Sequence, residues 1–149
     1  MLNEHEESLY ALFWEIIRYH FIRHHQLFST VGLYRGQPPI LELLWKEDGR
    51  TQKEIAEALK LKPPTVTLIL RRMEKAGLIK RQSDPQDLRS IRIYLTKKGK
   101  SLEKDVREIR ATLERECFAH FTPEERVLLR RFFLQVRDNL QKTIEGGER

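Results

Sequence analysis

The apolar spacing changes period between residues 51 and 95, and that change leaves few folds open. Thr51-Gln-Lys-Glu54 has the pattern of a reciprocal helix cap. Thr51 can accept from the backbone at Glu54, and Glu54 can reach back to Thr51. Ile55, Ala56 and Leu59 follow on the buried side of a short helix. Lys60 to Lys62 read as a tight turn. Pro63 and Pro64 then suit the first turn of a second helix, where a missing N–H costs nothing. Val66, Ile69, Leu70 and Met73 recur at i, i+3, i+4 and i+7, so they form an inward stripe. Gly77 fits a left-handed cap at the end. Beyond it the period drops to two. Residues 78–82 and 91–95 read as strands, joined by a loop rich in turn formers at 83–90. Helix, turn, helix, hairpin is the order of a winged helix-turn-helix. Residues 36–96 are assigned to it, with the helix-turn-helix at about 51–75 and the wing at about 78–95.

Long helices flank this module. Leu9, Leu12, Phe13, Ile16, Ile17 and Phe21 predict a first helix from Glu4 to Phe28. Gly32, Gly36 and Pro38-Pro39 punctuate the chain before a short helix carrying Ile40, Leu41, Leu44 and Trp45. After the wing, Thr96 can cap a long helix whose seam is Leu102, Val106, Ile109, Leu113 and Cys117. Thr122-Pro-Glu-Glu125 repeats the capping pattern ahead of Leu128, Leu129, Phe132, Phe133, Val136, Leu140 and Ile144. The tail from Glu145 reads as frayed. The fold class is therefore mainly α with a small β-hairpin wing, in one domain over residues 1–149. Residues 1–30 and 97–145 are assigned as dimerisation helices. Their stripes, including Phe13, Ile16, Phe132, Phe133 and Leu140, exceed what one small core can cover.

Charge is distributed unevenly. Residues 1–59 hold 6 basic and 9 acidic side chains, residues 60–100 hold 12 and 3, and residues 101–149 hold 10 of each. The whole positive excess lies in the predicted module, which suits a polyanionic partner such as nucleic acid. On a helical wheel Pro64, Leu68, Arg71 and Lys75 lie opposite the inward stripe, with Thr65, Thr67 and Arg72 on the flanks. Cations bind phosphate or guanine, threonine bonds either, and an apolar tip can touch a thymine methyl. These residues are the candidate DNA contacts on the second helix of the pair, the one expected in the major groove. Arg89, at a loop tip, suits a narrow, electronegative minor groove.

From Gln37 to Gly99 the sequence resembles the MarR family of bacterial transcriptional regulators. The likeness lies in Gln52-Lys-Glu-Ile-Ala-Glu-Ala-Leu59, Thr65-Val-Thr67 and the run from Met73 to Arg81. It lies also in Asp87-Leu-Arg89, then Leu95-Thr96 and Gly99, at the spacing of the family's wing pattern. Leu68 departs from it, since the family often has a basic residue there. The resemblance implies a homodimer that binds a pseudo-palindromic double-stranded operator. It implies repression relieved by a small effector. It implies that Arg89 enters the minor groove, while Asp87 supports the wing by charge pairing, with Arg81 or Arg71 as its partner. The alternative is a winged-helix module that binds protein rather than DNA.

Other residues point to less. Trp14, Arg18 and Trp45 are candidate walls for an aromatic or anionic effector, since aromatic planes plus a cation suit such a molecule. His20 and His24 share a helix face, but no further ligand completes a metal site, so no metal and no cofactor are expected. Cys117, the single cysteine, continues an apolar seam and reads as a buried, inert thiol. No phosphate loop, nucleophile elbow or hydrolase-type metal spacing is present, so the chain does not read as an enzyme. At 40% hydrophobic residues it is too apolar for a disordered chain. It has no apolar run long enough for a bilayer, and its acidic start is unlike a signal peptide. A cytoplasmic protein with no membrane partner is expected.

Overall fold

The computed structural model describes residues 8–147. Its elements are α1 (Leu9–Ser29), α2 (Gln37–Lys46), β1 (Arg50–Thr51), α3 (Gln52–Leu59), α4 (Pro63–Lys75), β2 (Ile79–Ser83), β3 (Ile91–Leu95), α5 (Lys97–Ser101), α6 (Glu103–Cys117) and α7 (Pro123–Gly146). The chain divides into two compact units, one up to Ala111 and one from Thr112.

Local chemistry explains most boundaries. Thr51 accepts from Glu54 N at 3.1 Å and Glu54 Oε2 accepts from Thr51 N at 3.3 Å, completing the predicted cap of α3. Lys60, at φ 53°, makes the left-handed stop that separates α3 from α4. Gly77, at φ 76°, ends α4 as foreseen. Its N–H donates to Glu74 O and that of Leu78 to Met73 O, so the last carbonyls of the helix are satisfied. Thr122 and Glu125 form the second reciprocal cap, at the start of α7.

The core of the first unit lies between α2, α3, α4 and the sheet. Ile40, Leu41, Ile55, Val66, Leu70, Met73 and Ile93 are fully buried. The sheet has three antiparallel strands in the order β1-β3-β2, with Arg81 opposite Ile93 and Arg50 opposite Ile93 on its other side. The strand β1 was not foreseen; two residues carry no periodicity, and β3 recruits them.

Four further expectations are corrected. Pro38 and Pro39 lie inside the first turn of α2 rather than before it, where their missing N–H groups cost nothing. Thr96 caps only the short α5, and the helix breaks at Leu102 before α6 begins. The cause is Gly99. A Cβ there would sit well inside van der Waals contact with Leu78 O, and its carbonyl takes the Trp45 indole N–H at 3.0 Å. Glycine lets α5 approach the entrance of β2, and an outside donor occupies a carbonyl the helix would otherwise use. The last helix continues through Gly146 instead of fraying at Glu145. Cys117 is exposed, not buried, because the α6 seam turns outward after Leu113. The predicted helix start at Glu4, the acidic start of the chain and the last two residues of its tail lie outside the described residues.

Candidate nucleic-acid interface

The helix α4 presents the two faces that the sequence predicted. Val66, Leu70 and Met73 are fully buried and Ile69 partly so. Pro64, Thr65, Arg71, Arg72 and Lys75 are exposed, and Leu68 is 50% exposed although apolar. Among the described residues Arg71, Arg72 and Lys75 take part in no ion pair, so their charge is available to an outside anion. Glu74, the one acid on the helix, is held by Arg81 at 3.4 Å. Lys98 Nζ donates to Ala76 O at 2.9 Å, where a cation complements the helix C-terminus.

Thr67 differs from its neighbours. It is half-buried, and its hydroxyl donates to Pro63 O at 3.0 Å while accepting from Gln52 Nε2. The one proton of this predicted DNA contact and one of its two lone pairs are thus used inside the protein. Gln52 was quoted in the sequence only as part of a pattern. No local signal could have singled it out, because its partner stands 15 residues away.

The wing is built around a different aspartate from the one expected. Asp87 meets neither Arg81 nor Arg71. Its Oδ1 accepts from Arg89 N at 3.1 Å and its Oδ2 from Ser90 Oγ at 3.3 Å, which shapes the loop tip. Arg81 is instead taken by Glu74, because strand register sets it beside the end of α4. The ion pair of the wing is Asp84–Arg92. Asp84 Oδ2 accepts from Arg92 Nε at 2.9 Å, and Arg92 Nη1 also donates to Gly49 O at 2.8 Å. Asp84 Oδ1 accepts from Gln86 N at 2.9 Å. The Gln86 amide, opposed by partial burial but aided by Arg92, holds the Asp84 carboxyl below the usual carboxylate range. On this frame Leu88 and Arg89 project as exposed side chains at the tip, and Arg89 has no ion pair among the described residues.

The residues of the predicted effector wall stand on two helices, Trp14 and Arg18 on α1 and Trp45 on α2. Trp45 is half-buried with its indole N–H committed to Gly99. Trp14 is 59% exposed, and the Arg18 guanidinium lies over the Tyr19 ring at 5.8 Å. On the same helix the His20 and His24 rings lie 5.7 Å apart and His24 rests on Phe28 at 4.2 Å. Burial, with the nearby charges of His20 and His25, lowers the His24 pKa. No group of three metal-ligating side chains occurs among the described residues.

Comparison with known proteins places this geometry. The sequence model of the MarR family matches residues 33–91. The HTH-type transcriptional regulator TtmR of Methylorubrum extorquens is 41% identical over 64 residues, covering 43% of this chain and 33% of that protein. The organic hydroperoxide resistance transcriptional regulator of Bacillus subtilis is 36% identical over 87 residues, covering 58% of this chain and 59% of that protein. The chain thus spans less than two thirds of the length of these two relatives. Among solved structures, the Staphylococcus aureus MepR–DNA complex superposes with a TM-score of 0.76 at 27% identity, over 92% of this chain and 99% of that one. Family match, related regulators and shared architecture agree: residues 33–91 are a MarR-family module, in a chain folded like the solved MarR-type regulators.

Proposed function

We propose that this protein is a homodimeric repressor that binds a pseudo-palindromic DNA operator. The helix α4 enters the major groove and Arg89 of the wing enters the minor groove. One observation carries the reading: Arg71 and Lys75, on the face of α4 opposite its buried stripe, and Arg72 on its flank stand exposed with no ion pair among the described residues, while the only acid on that helix is paired with Arg81. In this reading Pro64, Thr65, Leu68, Arg71, Arg72, Lys75 and Arg89 meet DNA directly.

A dimer is supported by the apolar side chains that the single chain leaves exposed. On α1 these include Leu9, Phe13 and Ile16; on α7 they include Phe132, Phe133 and Leu140. Two-fold symmetry then matches half-sites about one helical turn apart. Control by a small aromatic or anionic effector, with Trp14 and Arg18 available on α1, follows from the family resemblance. A cytoplasmic site of action accords with the absence, among the described residues, of any helix long and apolar enough to cross a membrane.

Selection of duplexes from a random pool, followed by affinity measurements at several salt concentrations, tests this function. A selected inverted repeat is expected, with affinity falling as salt rises, because phosphate-bound cations release counterions. Failure to enrich any duplex overturns it.

A further inference from the structure

Where α3 and α4 meet, the side chain of Gln52 is held by a hydroxyl that serves the recognition helix itself. Thr67 Oγ1 donates its one proton to Pro63 O, a turn earlier on α4, at 3.0 Å. It therefore offers only lone pairs to Gln52, and the NH2 end of the amide turns toward it. Gln52 is half-exposed, and among the described residues nothing else bonds its amide. One N–H and the carbonyl oxygen thus remain for an outside partner, at a fixed orientation.

We propose that Gln52 is a positioning residue for DNA recognition. The inference rests on the DNA-binding reading above. Its remaining N–H donates to a backbone phosphate, while Thr67 ties that contact to the azimuth of α4. A phosphate oxygen is the partner because the first helix of such a pair crosses the DNA backbone and phosphate only accepts. The chain of bonds runs from phosphate through Gln52 and Thr67 to the Pro63 carbonyl. Rotation of α4 about its axis is thereby referred to the DNA backbone, so Leu68 and Arg71 meet their base edges in register. The threonine expected to read DNA instead orients a glutamine that holds it.

The test uses duplexes selected by the wild-type protein, their single-base variants, and a range of salt concentrations. Gln52→Ala and Thr67→Val should each weaken binding about fivefold to tenfold and flatten the base preference read by α4. The double variant should bind no worse than the weaker single, because both break one linkage. Thr67→Ser should restore what Thr67→Val loses. Gln52→Glu should bind more weakly than Gln52→Ala at low salt, with the gap closing as salt rises, because a carboxylate then faces phosphate. Melting temperatures should stay close to wild type. Binding by Gln52→Ala within twofold of wild type, with its base preference intact, overturns the proposal and leaves the DNA-binding reading standing. Additive losses, or a fall in melting temperature that matches the loss of binding, overturn it as well. A wild-type protein that selects no duplex overturns the DNA-binding reading, and the role of Gln52 with it.

Discussion

The segment from α2 to β3 and the hairpin of α6 and α7 beyond Thr112 use apolar residues in opposite ways. In the first, Leu41, Ile55, Val66, Leu70 and Ile93 are wholly removed from water. In the second, α7 contains no buried residue, and Phe132, Phe133, Leu140 and Ile144 remain 47–60% exposed. The α6–α7 hairpin also has a groove lined by Phe118, Leu129, Phe133, Arg126 and Arg130 among others. The difference teaches which part of the chain can complete its core alone. The winged module buries its stripes against its own helices and sheet. The hairpin buries Leu113 but leaves most of the α7 stripe exposed in the single chain, which is the surface the proposed dimer would cover.

A matched pair of substitutions breaks or sharpens that contrast most strongly. Leu70→Ala should cost about 2–5 kcal/mol, since it empties a fully buried site in the module. Leu140→Ala should cost under about 1 kcal/mol in a separated chain, since Leu140 is already half in water. Its effect should appear as weaker association. Thermal unfolding at several concentrations, with sedimentation of each variant, checks both. A wild-type protein that sediments as a stable monomer at micromolar concentration removes the explanation for the exposed stripe.

Next in size are the cations of the module. Arg71→Ala should weaken operator binding by about 1–3 kcal/mol and, where it meets a base, relax preference at one position. Arg89→Ala should weaken binding most on A·T-rich flanks and lower the salt slope by about one for each phosphate left without its cation. Neither should move the melting temperature, because both side chains are exposed. Affinity titrations over a salt series separate them. Arg89→Ala binding like wild type at every salt would mean that the wing does not touch DNA.

Leu68 gives a smaller and sharper test. Half-exposed on α4, it should tolerate alanine within about 0.5 kcal/mol of stability, yet lose discrimination at one A·T pair. A folding loss of several kcal/mol would show that this face of α4 is covered.

The smallest effect concerns the wing at low pH. The native Asp84 carboxyl is held below its unfolded value, first by the Gln86 amide and then by Arg92. Its contribution to the wing is full above the unfolded pKa and is lost as pH falls through the depressed native one. Protection of the amides at residues 84–90, taken relative to their intrinsic exchange rate at each pH, should therefore fall in acid in the wild type, and depend less on acid in Asp84→Asn.

Much of the fold was legible in the sequence. The caps at Thr51 and Thr122, the stop at Gly77, the inward stripe of α4 and the hairpin follow from spacings of two to four residues. Exposed Leu68 and the outward placement of the α4 cations followed from the same periodicity. Cys117 was misread because a seam predicts which residues share a face, but not whether anything covers it. Trp14 and Trp45 looked alike in sequence, yet Trp14 is 59% exposed while the Trp45 indole N–H reaches Gly99 O, 54 residues away.

The sequence by itself therefore determined the order of elements, their caps, the outward face of α4 and the locus of positive charge, because each depends on neighbours within a turn or a strand pair. Tertiary structure alone decided which polar groups are spent and which are free. Thr67 is engaged by Gln52 across 15 residues, Arg92 reaches Gly49 across 43, and Arg81 goes to Glu74 rather than Asp87. A hydrogen bond between residues distant in sequence leaves no periodic trace. Packing first sets the distance, and geometry then selects one partner among several of suitable charge.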